Sequence, residues 1–247
     1  MRNILTADAV VLSSTDVGEE DRILTFVTRE QGLLRAAASS ARSLKKGRTA
    51  PLDLFVRSRL DITAQDNKPG RLKRIRSADV LETFLGIRSD YIKLCAASYV
   101  SELVSRCVQE DDPAPEIFEL ILVILAMLEK GEGIYRALVI FESRLLKELG
   151  MTPDTETCRK CGTGLGKEIV IDPRGGGFSH AVCRPGNSEA LLSPGDLSIL
   201  RFIMSKDLQS MSRLAVGEER ARHLFRQVNR FSVHHLGFTP RTSGTLP

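Results

Sequence analysis

Cys158 and Cys161 form a C-x-x-C pair, and eighteen residues on, His180 and Cys183 form H-x-x-C. Two such pairs at this separation, each on a tight turn that aims both donors at one point, have the spacing by which two knuckles close a tetrahedral zinc site, with an imidazole replacing one thiolate. Other chemistries compete. A redox C-x-x-C opens a helix after a strand, and no such unit is visible here. A zinc deaminase places H-x-E before P-C-x-x-C, whereas here the histidine pair comes second and Thr157 precedes Cys158. A knuckle fold that persists without metal, with His180 an incidental turn residue, stays open. If four protein donors do fill the coordination sphere, no position remains for water or substrate, and the zinc is structural. His223 and His234, eleven residues apart, would stand about 16 Å apart on a helix, and His235 continues an apolar stripe. The run Gly175-Gly176-Gly177 is not followed by a helix, so it is not a phosphate-cradling loop.

A second chemistry is carried by charge. The chain has a net charge of +4, yet residues 1–78 hold fifteen Lys and Arg against nine Asp and Glu, leaving −2 for the remainder. Arg42, Lys45, Lys46 and Arg48 occupy a polar loop without an acid, and Lys68, Arg71, Lys73, Arg74 and Arg76 occupy a turn and the start of a strand. Arg35, Arg57 and Arg59 extend the patch. Such clusters neutralise phosphates and release counterions, although a solvated basic surface is the plain alternative. Residues 1–80 contain only two aromatics, Phe26 and Phe55, so nucleic-acid binding should be backbone-directed and sensitive to salt.

The elements that must position these groups are legible as changes of period. Leu52, Leu54, Val56, Leu60 and Ile62 alternate with Asp53, Phe55, Arg57, Arg59 and Asp61, as in a half-buried strand. Further strands are predicted at Ala9–Ser13, Ile23–Thr28, Leu33–Ala38 and Leu72–Val80. Five short strands suggest a small closed barrel of the OB type, because closure removes exposed edges; an open sheet packed on helices is the alternative. From about residue 88 the period becomes helical. Ile92, Cys95, Tyr99, Leu103 and Cys107 form one stripe, which makes both cysteines core residues. A second helix should begin near Pro113 or Pro115 and end at Gly131 or Gly133. A third should carry Ile134, Leu138, Phe141, Leu145 and Leu149 and stop at Gly150. Glu168–Asp172 reads as a short strand before the triple-glycine turn, Ser193-Pro194 as the start of a helix to about Ser205, and residues 218–236 as the last helix. The expected fold is therefore α+β and multidomain: an N-terminal OB-fold β-barrel over residues 1–80, then an α-helical domain over 81–247 with a zinc-ribbon-like element at about 154–190.

Composition agrees with a globular protein. The only long apolar run, Leu120 to Leu128, is far short of the roughly 20 residues of a membrane span. Residues 1–14 have no secretory pattern, so a cytoplasmic location with reduced cysteines is expected.

The order of these features resembles the bacterial recombination mediator family RecO. The matching stretches are VGEEDRILTFVT at 17–28, Gln31-Gly32, the basic loop around Ala41-Arg42, FESRLL at 141–146 with Leu149-Gly150, and the knuckles at Cys158 and Cys183. The likeness spans about residues 1–237. It implies a non-enzymatic DNA-repair protein, with an OB-fold domain, a helical domain and an inserted zinc element. It also implies binding of single- and double-stranded DNA, annealing of complementary strands and, with the partner RecR, loading of RecA onto strands coated with single-strand-binding protein. Family members with a full site resemble C-x-x-C followed by C-x-x-C, whereas His180 takes the third position here, and some members lack the cysteines. The resemblance further suggests that the helical domain takes the acidic, Phe-ended tail of single-strand-binding protein. Arg136, Arg144 and Lys147 on the third helix are the cations for it, unless Arg144 merely pairs with Glu148. Two other functions remain to be weighed: a metal-dependent nucleic-acid enzyme, which should show a carboxylate cluster or an open metal site, and a zinc-ribbon scaffold in transcription or RNA metabolism.

Overall fold

The computed structural model describes residues 4–17, 19, 21–38, 52–63, 72–184 and 191–246. Five strands come first: β1 (Ile4–Val17), β2 (Asp21–Thr28), β3 (Gly32–Ala38), β4 (Arg57–Thr63) and β5 (Lys73–Glu82). They close into a barrel in the order β1-β2-β3-β5-β4, with β4 returning to β1. Every pairing is antiparallel except β3 with β5. β1 is long enough to pair on both sides because a register shift between Val11 and Ser13 bends it around the corner. Inward residues at alternate positions, among them Ala9, Val11, Leu24, Phe26, Leu34, Ala36, Leu60 and Ile62, fill the interior.

One predicted strand is shorter than its alternation suggested. Leu52 to Val56 form turns rather than strand, and Phe55 stands at φ 65°. Its backbone N–H donates to the Val11 carbonyl, while the Val11 N–H donates to Val56. This twist buries Phe55 and Val56 in succession, so Phe55 belongs to the interior and not to the charged face.

Helices follow: α1 (Leu85–Arg88), α2 (Tyr91–Cys107), α3 (Pro115–Lys130) and α4 (Ile134–Glu148). Asp90 caps α2 by accepting from the N–H groups of Ile92 and Lys93. Cys95 is buried on α2, and burial pushes the Cys107 thiol up to about 11, so both behave as core thiols. α4 ends where Gly150 takes a left-handed conformation and the Met151 N–H donates to Leu146. A hairpin of β6 (Ile169–Asp172) and β7 (Gly177–His180) comes next, then α5 (Pro194–Ser205) and α6 (Glu218–Leu236). The Ser193 and Asp196 side chains make a reciprocal capping box at the start of α5. The chain divides into two compact units. One runs to Glu129 and takes in the chain end from Gly244, and the other covers Lys130–Ser243. Among the described residues no helix is long and apolar enough to cross a membrane.

Within the second unit α4 packs on α6. The buried Glu142 of α4 accepts hydrogen bonds from Asn229 and Ser232 of α6, so its carboxyl oxygens keep partners away from water. The hairpin is attached to the same helices through Ile171 and Phe178. These face a small void also lined by Leu146, Leu200, Val228 and Phe231.

Candidate metal centre and nucleic-acid surface

The first knuckle is launched by Asp154. Its carboxylate accepts from the Glu156 N–H at 2.8 Å, from both the N–H and the hydroxyl of Thr157, and from Arg159 at 3.1 Å. The Glu156 N–H foremost, with Thr157 and Arg159 outweighing the cost of burial, holds this carboxyl at about 2. The turn then closes on itself. Cys158 N–H donates to the Thr163 carbonyl at 2.8 Å and Gly162 N–H to the Cys158 carbonyl at 2.9 Å, with Gly162 in the left-handed region at φ 75°. The second knuckle is the end of β7, where His180 leads into a short 3₁₀ turn, Ala181–Cys183. β7 must pass close to the segment at Asp154: a Cβ on Gly177 would lie 2.5 Å from the Asp154 carbonyl oxygen.

These two turns bring together all four donors named from the sequence. One ligand atom each from Cys158, Cys161, His180 and Cys183 lies within 4.8 Å of every other. The sulfurs of Cys161 and Cys183 stand 3.5 and 3.8 Å from His180 Nδ1. Sulfur and nitrogen bound to one tetrahedral zinc stand about 3.6 Å apart, so the donor set fits that geometry. The tautomer fits as well. His180 Nε2 is 3.0 Å from the Gly164 carbonyl oxygen, which only accepts, so Nε2 carries a proton and the neutral imidazole turns its Nδ1 lone pair to the sulfurs.

Electrostatics favours the thiolate at Cys158 and Cys161 and disfavours it at Cys183. Burial raises the cost of a thiolate at Cys158, but N–H groups of Cys161, His180 and Lys160 facing its sulfur bring it down to about 5. The Thr163 hydroxyl, 3.2 Å away, lowers Cys161, and the Cys161 sulfur in turn raises His180. Burial foremost, then the neighbouring sulfurs of Cys161 and Cys158, push Cys183 up to about 11. The neighbouring sulfurs thus keep Cys183 a thiol, and a divalent cation among them would offset their repulsion and draw off its proton. The cluster can therefore hold a metal ion. Sequence reasoning missed the Gly164 carbonyl, Thr163 and Asp154. Only the D-x-x-T spacing of Asp154 and Thr157, a local capping pattern, was there to find.

The basic residues named from the sequence are only partly described. Arg42, Lys45, Lys46, Arg48, Lys68 and Arg71 lie outside the described residues. Of the others, Arg57 is held by Asp8 through two hydrogen bonds of 3.0 and 2.6 Å, with its guanidinium 5.9 Å from the centre of the Phe118 ring. Arg35 pairs with Glu110 at 3.1 Å, and Lys73 with Asp111 at 2.8 Å. Arg59 stands between Asp8 and Asp79 in the strand register. Arg74 and Arg76, two apart on β5, are exposed. Both aromatics of the barrel region, Phe26 and Phe55, are buried and present no face for base stacking. On α4, Arg136 bonds Glu132 and the Leu214 carbonyl, and Lys147 is exposed. Arg144 is 5% exposed, with its Nε and Nη2 lacking hydrogen-bond partners.

A closed five-stranded barrel, a helical region and an inserted two-knuckle element define an OB-like, metal-knuckle protein. Sequence similarity makes this specific. The family models for the N-terminal and C-terminal parts of Recombination protein O match residues 1–84 and 88–244. The DNA repair protein RecO of Myxococcus xanthus is 34% identical over 233 residues, 93% of this chain and 91% of that protein. The DNA repair protein RecO of Heliobacterium modesticaldum is 32% identical over 224 residues, 88% and 80% of the two chains. The chain belongs to the RecO family, whose members are DNA-binding recombination mediators in DNA repair and not enzymes.

Proposed function

We propose that this chain anneals complementary DNA strands and, together with RecR, helps load RecA onto single strands coated with single-strand-binding protein. The observation that carries the reading is the division of labour on the barrel. Its aromatics are all inside and its exposed charge, at Arg74 and Arg76, is outside, which suits contacts to phosphates rather than to bases. In this reading residues 1–80 are the DNA-binding domain, and Arg35, Arg42, Lys45, Lys46, Arg48, Arg57, Arg59, Lys68, Arg71, Lys73, Arg74 and Arg76 supply its positive surface. Single- and double-stranded DNA both bind, and the protein works in the cytoplasm on the nucleoid. Residues 81–247 form the helical domain, and the metal held at about 154–190 is zinc. Bound there it supplies no chemistry to a substrate. Cys158, Cys161, His180 and Cys183 would hold it and so fix the two knuckles on the helices.

Strand annealing tests this directly. Complementary oligonucleotides should anneal faster with the protein than without it, with no nucleotide added. An unchanged rate would defeat the reading. The tail of single-strand-binding protein is assigned to α4, where the buried Arg144 supplies a cation with unsatisfied donors. A tail peptide should therefore bind Arg144→Ala more weakly than wild type, and equal binding would remove this assignment.

A further inference from the structure

The net charge of −2 beyond residue 78 conceals a strong segregation. From Arg220 to the end of the chain there are five arginines and three histidines and not one Asp or Glu. Most of this charge is on α6. Arg222, Arg226, Arg230 and His234 follow one another at intervals of four, so they form a single ridge along the helix. Like charges at this spacing disfavour an isolated helix, and the only acid on the same row, Glu218, stands at the helix start, away from Arg226, Arg230 and His234. Where the ridge ends, α6 and the β6–β7 turn flank an open cleft of about 670 Å³. Its charged lining is Arg174 from the turn, Arg184 from beyond the second knuckle and Arg230 from α6, with the His234 imidazole of α6 beside them. Asn229 and Thr239 add neutral hydrogen-bonding groups. No carboxylate lines it among the described residues. Asp172, which pairs with Arg184, is itself buried and offers no accessible charge to a ligand.

We propose that this cleft is a second DNA-backbone site, in which Arg174, Arg184, Arg230 and His234 bind phosphodiester groups of a strand separate from the one on the barrel. Guanidinium forks match phosphate oxygens in pairs, and an asparagine amide and a threonine hydroxyl add contacts to phosphate and sugar. The lining has no Phe, Tyr or Trp on which a base could stack, and its one ring is the imidazole of His234, so the site reads charge more than sequence. Its apolar residues are Pro173 and Val233, neither a large ring or long aliphatic chain. Arg174 and Arg184 are held by the hairpin and its following knuckle, so the metal element has a direct task in positioning this surface. The site rests on the family's binding of DNA and is independent of which barrel residues take part.

The test uses the full zinc-loaded chain, a fluorescent oligothymidine and two double variants, Arg174→Glu/His234→Glu and Arg74→Glu/Arg76→Glu. Arg174 and His234 are exposed, so reversing them leaves the core intact, and unchanged metal content and thermal melting verify this. The cleft variant should bind at least about tenfold more weakly. Its slope of log affinity against log salt should flatten by about 0.7 for each phosphate that is no longer neutralised. Wild-type affinity and slope in the cleft variant overturn the proposal, whatever the barrel variant does. Weakened binding by the cleft variant with normal binding by the barrel variant leaves the cleft in place and removes the barrel assignment instead. If the cleft variant keeps its DNA affinity but no longer binds an acidic Phe-ended peptide, the cleft is a protein site and the proposal is wrong.

Discussion

His180 matters because it ligates through one nitrogen and is oriented through the other. The Gly164 carbonyl fixes the proton on Nε2, so exchanging the imidazole for a thiolate keeps four donors but discards that orientation. His180→Cys should retain about one metal per chain, whereas His180→Ala should lose much of it. Metal analysis after dialysis without chelator distinguishes the two, and equal retention in both would show that His180 is not a ligand. Cys158→Ser should lose the metal and lower the melting temperature of the same preparation, since binding at a closed site contributes directly to folding. Asp154 makes a different prediction, one of pH. Its carboxyl falls from 3.8 to about 2 on folding, so its contribution is complete above about pH 4 and is lost as pH falls toward 2. Asp154→Asn should therefore be less stable near neutrality by about 1–2 kcal/mol, with the gap closing in acid. A gap that stays constant down to pH 2 would mean that the carboxylate charge is not the cause. The four donors were legible in the sequence because ligand type and spacing are properties of side chains. The Gly164 carbonyl was not, because every residue has one and only the folded turn aims it.

The strands and helices were legible wherever one face alone is buried. Ser58, Leu60 and Ile62 point inward on β4 with Arg59 exposed between them, and the Ser193-Pro194 start of α5 holds as read. Alternation misled at Phe55, since a left-handed backbone there places two successive side chains inside, and no periodic pattern encodes that. Single-turn α1 escaped for a related reason: four residues are too few to show a helical period. The hairpin is the element whose role was least visible. β6 is buried along its whole length and carries Ile171, and Phe178 of β7 is fully buried in the second unit's interior. Phe178→Ala should cost about 3–5 kcal/mol by leaving a cavity. It should also weaken metal retention, because the same hairpin holds His180. Chemical denaturation and metal analysis of one preparation measure both, and a variant that loses stability yet keeps metal as tightly as wild type would show that knuckles and helices fold independently.

Charge is the property of the chain that a sum describes worst. A total of +4 is unremarkable, yet it combines +6 in the first 78 residues with an acid-free, arginine-rich end. On the barrel, several of the cations already have partners, Arg57 with Asp8, Arg35 with Glu110 and Lys73 with Asp111. Exposed pairs hold a side chain only weakly, so phosphate can displace the Arg35 pair, whereas Arg57 and Lys73 are part-buried and held more firmly. Arg74 and Arg76, and the loop cations Arg42, Lys45 and Lys46, are then expected to dominate. If they act through charge, reversing Arg42, Lys45 and Lys46 to Glu should weaken binding to all sequences alike and flatten the salt dependence, by about 0.7 per phosphate on single strands and 0.9 on duplex. The weakening should be the same for oligothymidine and for a mixed sequence, because Phe26 and Phe55 are enclosed and cannot sort bases by stacking. A residual affinity that resists high salt would point instead to apolar or base-specific contacts. Normal binding by this triple variant at physiological ionic strength would reduce the loop to surface charge and leave the DNA contacts to β5 and to the second unit.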